Sequence, residues 1–152
     1  MGWLASPERF LKPARIRLAF LGIGGAAFLV TEFGRFVCRP YVRRHGIQDF
    51  GLTDSIGNLG GIVVQIFIGL AAMNPTRKQS YRLALFFSAG YIVYEFLQPI
   101  LPKGTFDWKD VWGTLVGGCF SCALLWVLWR LFPEVRGKLE NLGQTEGSYL
   151  HK

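Results

Sequence analysis

Carboxylates stand at matching places in two halves of the sequence, and they are the residues best suited to binding or acid-base chemistry. The segment 29–33, LVTEF, is echoed by the segment 92–96, IVYEF. The segment 54–57, DSIG, is echoed in the same way by the segment 110–113, DVWG, and further glycines follow both. Each half therefore repeats an apolar run, a glutamate, a loop, an aspartate and glycines, which predicts two similar structural units.

Glu32 and Glu95 stand near the ends of apolar runs, where an ionised side chain is costly. An acid at membrane depth costs about 2.5 kcal/mol or more unless it is paired or hydrated. Arg35 follows Glu32 by one helical turn and Gln98 follows Glu95 likewise, so a local ion pair or hydrogen bond would satisfy each acid. These residue types leave two interpretations open, a ligand site and a purely structural pairing.

Asp54 and Asp110 immediately precede apolar runs, where helices are expected to begin. Their positions suit an N-cap or a first-turn acid, which the helix dipole stabilises. Alternatively, both join the two glutamates in a ring of four carboxylates at the outer mouth of a helix bundle. Such a ring, with Arg35, Arg39 and Lys109 nearby, would bind a cation or a zwitterionic or polyanionic headgroup. The candidate ligand-binding residues are Glu32, Arg35, Asp54, Glu95, Gln98, Asp107 and Asp110.

Other reactive residue types form no recognisable catalytic pattern. His45 lies alone in a basic loop and His151 in a polar tail. Cys119 and Cys122 are one turn apart in an apolar run without a second ligand pair, which favours small helix-packing residues over a metal or redox site. We therefore expect no catalytic residue, no metal and no cofactor, and a protein that is not an enzyme.

The elements that must position these acids are membrane-spanning helices. Of the 152 residues 51% are hydrophobic and only 18% are charged, in one domain-sized chain. The stretches 55–76 and 111–129 carry no charge and are long enough to cross a hydrocarbon core of roughly 30 Å. Two shorter apolar stretches cross only if they include their glutamates, which predicts helices from about 15 to 38 and from about 81 to 101.

The predicted fold is an all-α integral membrane protein, a four-helix transmembrane bundle built as two pseudo-repeated helical hairpins. The membrane domain covers 15–133, between a cytoplasmic N-terminal segment, 1–14, and a cytoplasmic tail, 134–152. Lys and Arg are more numerous on the side of both termini, which places those termini in the cytoplasm. The net charge of +7 then points to phospholipid as the anionic partner, and not to nucleic acid.

Small and polar residues inside the spans predict how the helices pack. Gly57 and Gly61, like Gly113 and Gly117, lie on one helix face and would let a neighbouring backbone approach closely. Gln65 is a polar residue among apolar neighbours in the second span, which predicts an interhelical hydrogen bond.

One group of motifs in the second half carries a family resemblance. It comprises Glu95-x-x-Gln98, Phe106-Asp107-x-x-Asp110, Gly113 and Gly117. In these residues the chain resembles the VanZ-like family over most of 94–118, and more weakly in the first half through Glu32 and Asp54. The family commonly has arginine where this chain has Lys103-Gly104-Thr105, and asparagine where Gly113 stands.

The resemblance implies a small bacterial envelope protein of four or five helices in the inner membrane, with some members linked to teicoplanin resistance. It implies no reaction. The first functional hypothesis is a non-enzymatic protein that binds a lipid or amphipathic ligand at the outer carboxylate cluster. The alternative is an accessory structural subunit of a larger respiratory or photosynthetic membrane complex, with other subunits as partners. Aromatic-rich helix surfaces, including Trp112, Trp126 and Trp129, favour that alternative.

Overall fold

The structure, a computed structural model, describes residues 14–101 and 105–132. The predicted N-terminal segment and tail therefore lie almost wholly outside the described residues, as do Lys103 and Gly104. The described chain is helical, with no strand. Its α-helices are α1 (Ala14–Phe33), α2 (Arg39–Arg44), α3 (Leu52–Met73), α4 (Arg77–Leu97) and α5 (Trp108–Leu131).

A π-helical turn, Gly34–Cys38, joins α1 to α2 without a break. The N–H of Arg39 donates to the carbonyl of Gly34, which is the wide hydrogen bond of a π turn. Pro40 follows in the first turn of α2, and because it has no N–H it cannot donate to a carbonyl of the preceding turn. The first helical run consequently extends to Arg44, about two turns beyond the predicted end near residue 38.

Four helices are long and apolar enough to cross a membrane: Arg15–Arg44, Leu52–Met73, Arg77–Ile100 and Trp108–Leu131. This agrees with the four predicted spans. The third begins with a capping box in which Thr76 and Gln79 exchange hydrogen bonds. It ends in a 3₁₀ turn, Gln98–Ile100, because Pro99 cannot continue an α-helix.

Helix α3 lies at the centre of the packing. It makes the most extensive contacts with α1 and α5, while α4 packs mainly on α5 and less on α3. Apolar side chains of α3 are accordingly the most deeply buried, together with single residues of α1 and α5. The most deeply buried members of this core include Ile62, Ile66, Phe67, Leu70, Phe20 and Leu125.

Glycines on α5 confirm the predicted close approach of two helices. A Cβ added at Gly113 would lie 2.9 Å from the carbonyl oxygen of Ser55, and one at Gly117 would collide with the backbone of Leu59. On α3 the prediction is wrong, because a Cβ at Gly57 or Gly61 would meet no atom closer than 3.9 Å. The buried glycine there is Gly60, which lies against Thr31 of α1.

Aromatic side chains are divided between the outer surface and the core. Trp112 and Trp126 are exposed, and the guanidinium of Arg130 lies 3.9 Å from the centre of the Trp126 ring. Trp129, which was expected on the surface, is buried against the core instead. It faces inward because it lies one turn beyond Leu125, on the side of α5 that meets the other helices.

Candidate functional site

The predicted acids gather at one end of the helix bundle, which we call the carboxylate end. There α1 leads into the π turn, α3 begins, α4 ends and α5 begins. A cavity of about 500 Å³, the polar groove, opens at this end. It is lined by Arg35, Arg39, Arg43, Asp54, Gly57, Asn58, Asp107 and Asp110. Four of the seven predicted ligand-binding residues therefore line one cavity, namely Arg35, Asp54, Asp107 and Asp110.

A row of arginines lines the groove. Arg35, Arg39 and Arg43 follow one another at four-residue spacing, so they share one face of the continuous helical run. The first two were expected near the acids from the sequence, whereas Arg43 was missed. The four-residue spacing was the available signal, because it places three guanidinium groups in a line.

Asp54 also lines the groove and binds two of these arginines. Its Oδ1 accepts hydrogen bonds from Arg39 Nε and Arg43 Nη2, each at 2.9 Å. Lys109 Nζ is 3.8 Å from Asp54 Oδ2. The N-cap of α3 is Gly51, with φ of 82°, and Asp54 lies in the first turn, so Asp54 is the predicted first-turn acid and not the N-cap. Its carboxylate instead ties α2 to α3 and stands among three cations.

Two carboxylates at the start of α5 also line the groove. Asp107 is the N-cap of this helix, and its Oδ1 accepts the N–H of Lys109 at 2.9 Å. Asp110 follows in the first turn and is partly buried, and its carboxylate makes no hydrogen bond or ion pair with any residue that the structure describes. Both acids retain acceptor capacity that faces a cavity, since a carboxylate accepts about four hydrogen bonds.

Glu95 and Glu32, which match in the sequence, occupy different environments. Glu95 is only 2% exposed, and Gln98 Nε2 donates to its Oε2 at 2.5 Å. Asn58 of α3 donates to Glu95 Oε1 at 3.3 Å and also lines the groove, so it connects the buried acid to the cavity. Glu32 is more exposed and pairs with Arg35 at 3.1 Å. The predicted local pairings of both glutamates are confirmed, whereas the role of Asn58 was missed.

Asp49 belongs to the loop that precedes α3, and its carboxylate accepts hydrogen bonds from residues that follow it closely in the chain. Thr53 donates to its Oδ2 through the hydroxyl at 2.5 Å and through the backbone N–H at 2.8 Å. The Gly51 N–H donates to Oδ1 at 3.1 Å. These hydrogen bonds, with the Thr53 hydroxyl contributing most, lower the pKa of Asp49 from 3.8 to about 2. Asp49 therefore shapes the loop and contributes no free acceptor to the groove.

The arrangement of the groove suits binding. Its described lining holds guanidinium, carboxylate and amide groups, with neither a nucleophile next to a base nor a histidine. Among residues 14–101 and 105–132, no three His, Cys, Asp or Glu side chains are grouped to hold a metal ion. The geometry can therefore bind a molecule that carries both a cationic and an anionic group.

Comparison of the chain with protein-family models, with curated proteins and with solved structures finds no match. The resemblance to the VanZ-like family thus depends on the motif residues alone.

Proposed function

We propose that this chain is a non-enzymatic membrane protein that binds the polar headgroup of a lipid or amphipathic ligand in the polar groove. The observation that carries the proposal is that guanidinium and carboxylate groups line one cavity. Arg35 from the π turn and Arg39 and Arg43 from α2 line it together with Asp107 and Asp110 at the start of α5. A cavity lined by both cationic and anionic groups favours a ligand that carries both charges.

A phosphate-and-ammonium headgroup fits this mixed lining best. Asp54 is one carboxylate among Arg39, Arg43 and Lys109, so positive charge is in excess around it. A phosphate would share these cations with Asp54, because guanidinium groups bind oxyanions well. An ammonium group would occupy the free acceptors of Asp107 and Asp110. The groove lies at the end of the four spans, where lipid headgroups are found.

The same proposal includes the finer architecture predicted from the repeat. We infer that α1 with α3, and α4 with α5, form two related hairpins, with the carboxylate end on the outer side of a bacterial inner membrane and both termini in the cytoplasm. In support, each glutamate pairs with the residue three positions later, Arg35 in one hairpin and Gln98 in the other. The VanZ-like resemblance agrees with this envelope location.

The proposal is tested by measuring which lipids stay bound to the full-length protein in mild detergent. Native mass spectrometry would compare phosphatidylethanolamine, phosphatidylglycerol, which lacks the amine, and a cationic lipid that lacks the phosphate. We expect preferential retention of phosphatidylethanolamine. Asp110→Asn should weaken it roughly tenfold, which corresponds to one charged hydrogen bond of about 1.5 kcal/mol.

Arg77→Gln is the matched control, because it removes one charge at the opposite end of the bundle. It should leave retention of phosphatidylethanolamine unchanged. Equal retention of all three lipids by the parent protein would contradict the proposal. Stoichiometric co-purification with other subunits, without bound lipid, would instead support the accessory-subunit alternative.

A further inference from the structure

Gln65 is an exposed amide in the middle of a membrane-crossing helix. It is the fourteenth residue of α3, about 20 Å from the carboxylate end of that helix. Its side chain is exposed and makes no hydrogen bond with any residue in the described part of the chain. The interhelical bond predicted from the sequence is therefore not made among the residues that the structure describes.

The exposed side of α3 around Gln65 is a continuous strip. Ile68 and Ala72 follow at three and seven positions, so all three lie on one helix face and all three are exposed. We call these residues the Gln65 strip. Helix α1 meets α3 beside the strip, where Gly24 lies against Ile68.

Helix α4 borders the strip on its other side, where the ring of Phe87 lies against Gly69. In the described chain α1 and α4 make no extensive contact with each other, so neither closes over the strip. The strip is therefore open to whatever surrounds the bundle.

The hydrocarbon of a lipid bilayer cannot satisfy the hydrogen-bonding groups of the Gln65 amide. An acyl chain neither donates nor accepts hydrogen bonds, and Gln65 lies too deep for the headgroup and ester region of a lipid. A polar side chain on another helix at the same depth would satisfy the amide. A transmembrane helix with a hydrogen-bonding group level with Gln65 would therefore satisfy the amide.

We propose that the Gln65 strip is the contact surface between two copies of this chain, with the Gln65 amides hydrogen-bonded to each other. Two copies inserted in the same direction are related by a two-fold axis along the membrane normal, which places identical residues at equal depth. An amide carries both a donor and an acceptor, so it is complementary to a second identical amide. A second copy thus provides the required group at the required depth. This inference is independent of the polar groove and its ligand.

Disulfide cross-linking in native membranes tests the contact. Cys38, Cys119 and Cys122 are first replaced by serine in the full-length chain, and Ile68→Cys is then introduced while Gln65 is kept. Mild oxidation should produce a covalent dimer of the chain. Val116→Cys is the matched control, because Val116 is an exposed residue of α5 outside the strip, and it should give no dimer.

A second variant tests whether the amide of Gln65 stabilises the dimer. Gln65→Leu should weaken association roughly threefold to twentyfold in a fluorescence energy transfer titration, which is the range for interhelical hydrogen bonds in membranes. Gln65→Asn, which retains an amide, should recover part of the association. Only monomers at all protein-to-lipid ratios, or cross-linking of Ile68→Cys to a different protein, would overturn the proposal.

Discussion

Asn58 of α3 donates a hydrogen bond to the buried carboxylate of Glu95 on α4, with 3.3 Å between Nδ2 and Oε1. The two residues are 37 positions apart in the chain. Gln98 supplies the other amide, so Glu95 is held by two neutral donors and by no described cation. Because Asn58 also lines the polar groove, it is the one described residue that links this buried acid to the proposed ligand site.

Asn58→Leu should therefore destabilise the protein more than most single substitutions. It removes a donor from a buried carboxylate, a loss of about 1–3 kcal/mol. Thermal unfolding in detergent, followed by circular dichroism, measures the effect. Ala89→Leu is the control, because it introduces the same side chain at an exposed position of α4, and it should leave the unfolding temperature unchanged. Equal unfolding temperatures for Asn58→Leu and the parent would show that the hydrogen bond contributes nothing.

Alanine substitution of the two matching glutamates should have unequal effects. Glu32→Ala removes a partly exposed ion pair, which contributes about 0–1 kcal/mol. Glu95→Ala leaves the amides of Asn58 and Gln98 without their acceptor in a buried site, at a cost of about 2 kcal/mol or more. The same unfolding assay compares the two variants. If Glu32→Ala proved the more damaging, the assignment of their environments would be wrong.

Two glycine substitutions should separate packing glycines from unconstrained ones. A Cβ at Gly117 collides with the backbone of Leu59, so Gly117→Ala should push α5 away from α3 and cost about 1–3 kcal/mol. Gly57→Ala meets no atom nearer than 3.9 Å and should be neutral or slightly stabilising. Unfolding temperatures of both variants provide the measurement. A similar loss in both would contradict the observed helix faces.

Asp54→Asn should change the lipid preference of the groove. The substitution removes the negative charge between Arg39, Arg43 and Lys109, so the cationic excess at the groove grows. We expect retention of phosphatidylglycerol to rise relative to phosphatidylethanolamine, roughly tenfold for about 1.4 kcal/mol of added attraction. Native mass spectrometry of both lipids on the variant and parent measures the ratio. An unchanged ratio would place the headgroup away from Asp54.

The loop before α3 should lose order only in strong acid. The folded pKa of Asp49, about 2, lies below its ordinary value of 3.8. Its stabilising effect is therefore fully present above pH 3.8 and is lost as the pH falls through about 2. Hydrogen exchange of the Thr53 amide between about pH 5 and pH 2 measures this, with Asp49→Asn as the comparison. Protection lost well above pH 3.8 would contradict the hydrogen bonds to Thr53.

Pairings within one helix at the site followed from the sequence, and pairings between helices there did not. The pairs Glu32 with Arg35 and Glu95 with Gln98 were predictable, because residues one turn apart on a helix are neighbours whatever surrounds them. The partner of Asp54 was not, because Arg39 and Arg43 reach it only after the chain turns back between α2 and α3. Residue spacing therefore indicated which residues lie at the carboxylate end, but not which side chains from different helices pair there.

The sequence by itself determined four helices that are long and apolar enough to cross a membrane, since hydrocarbon thickness demands long apolar runs and these are visible in one dimension. It also determined that the acids lie near span ends, where ionised groups reach polar surroundings. Only the tertiary structure decided the rotation of each helix about its axis. That rotation buries Gly60 in place of Gly57, turns Trp129 inward and leaves Gln65 exposed. The physical reason is that lipid and core are both apolar, so hydrophobicity cannot distinguish the two faces of a membrane helix, and close packing must do so.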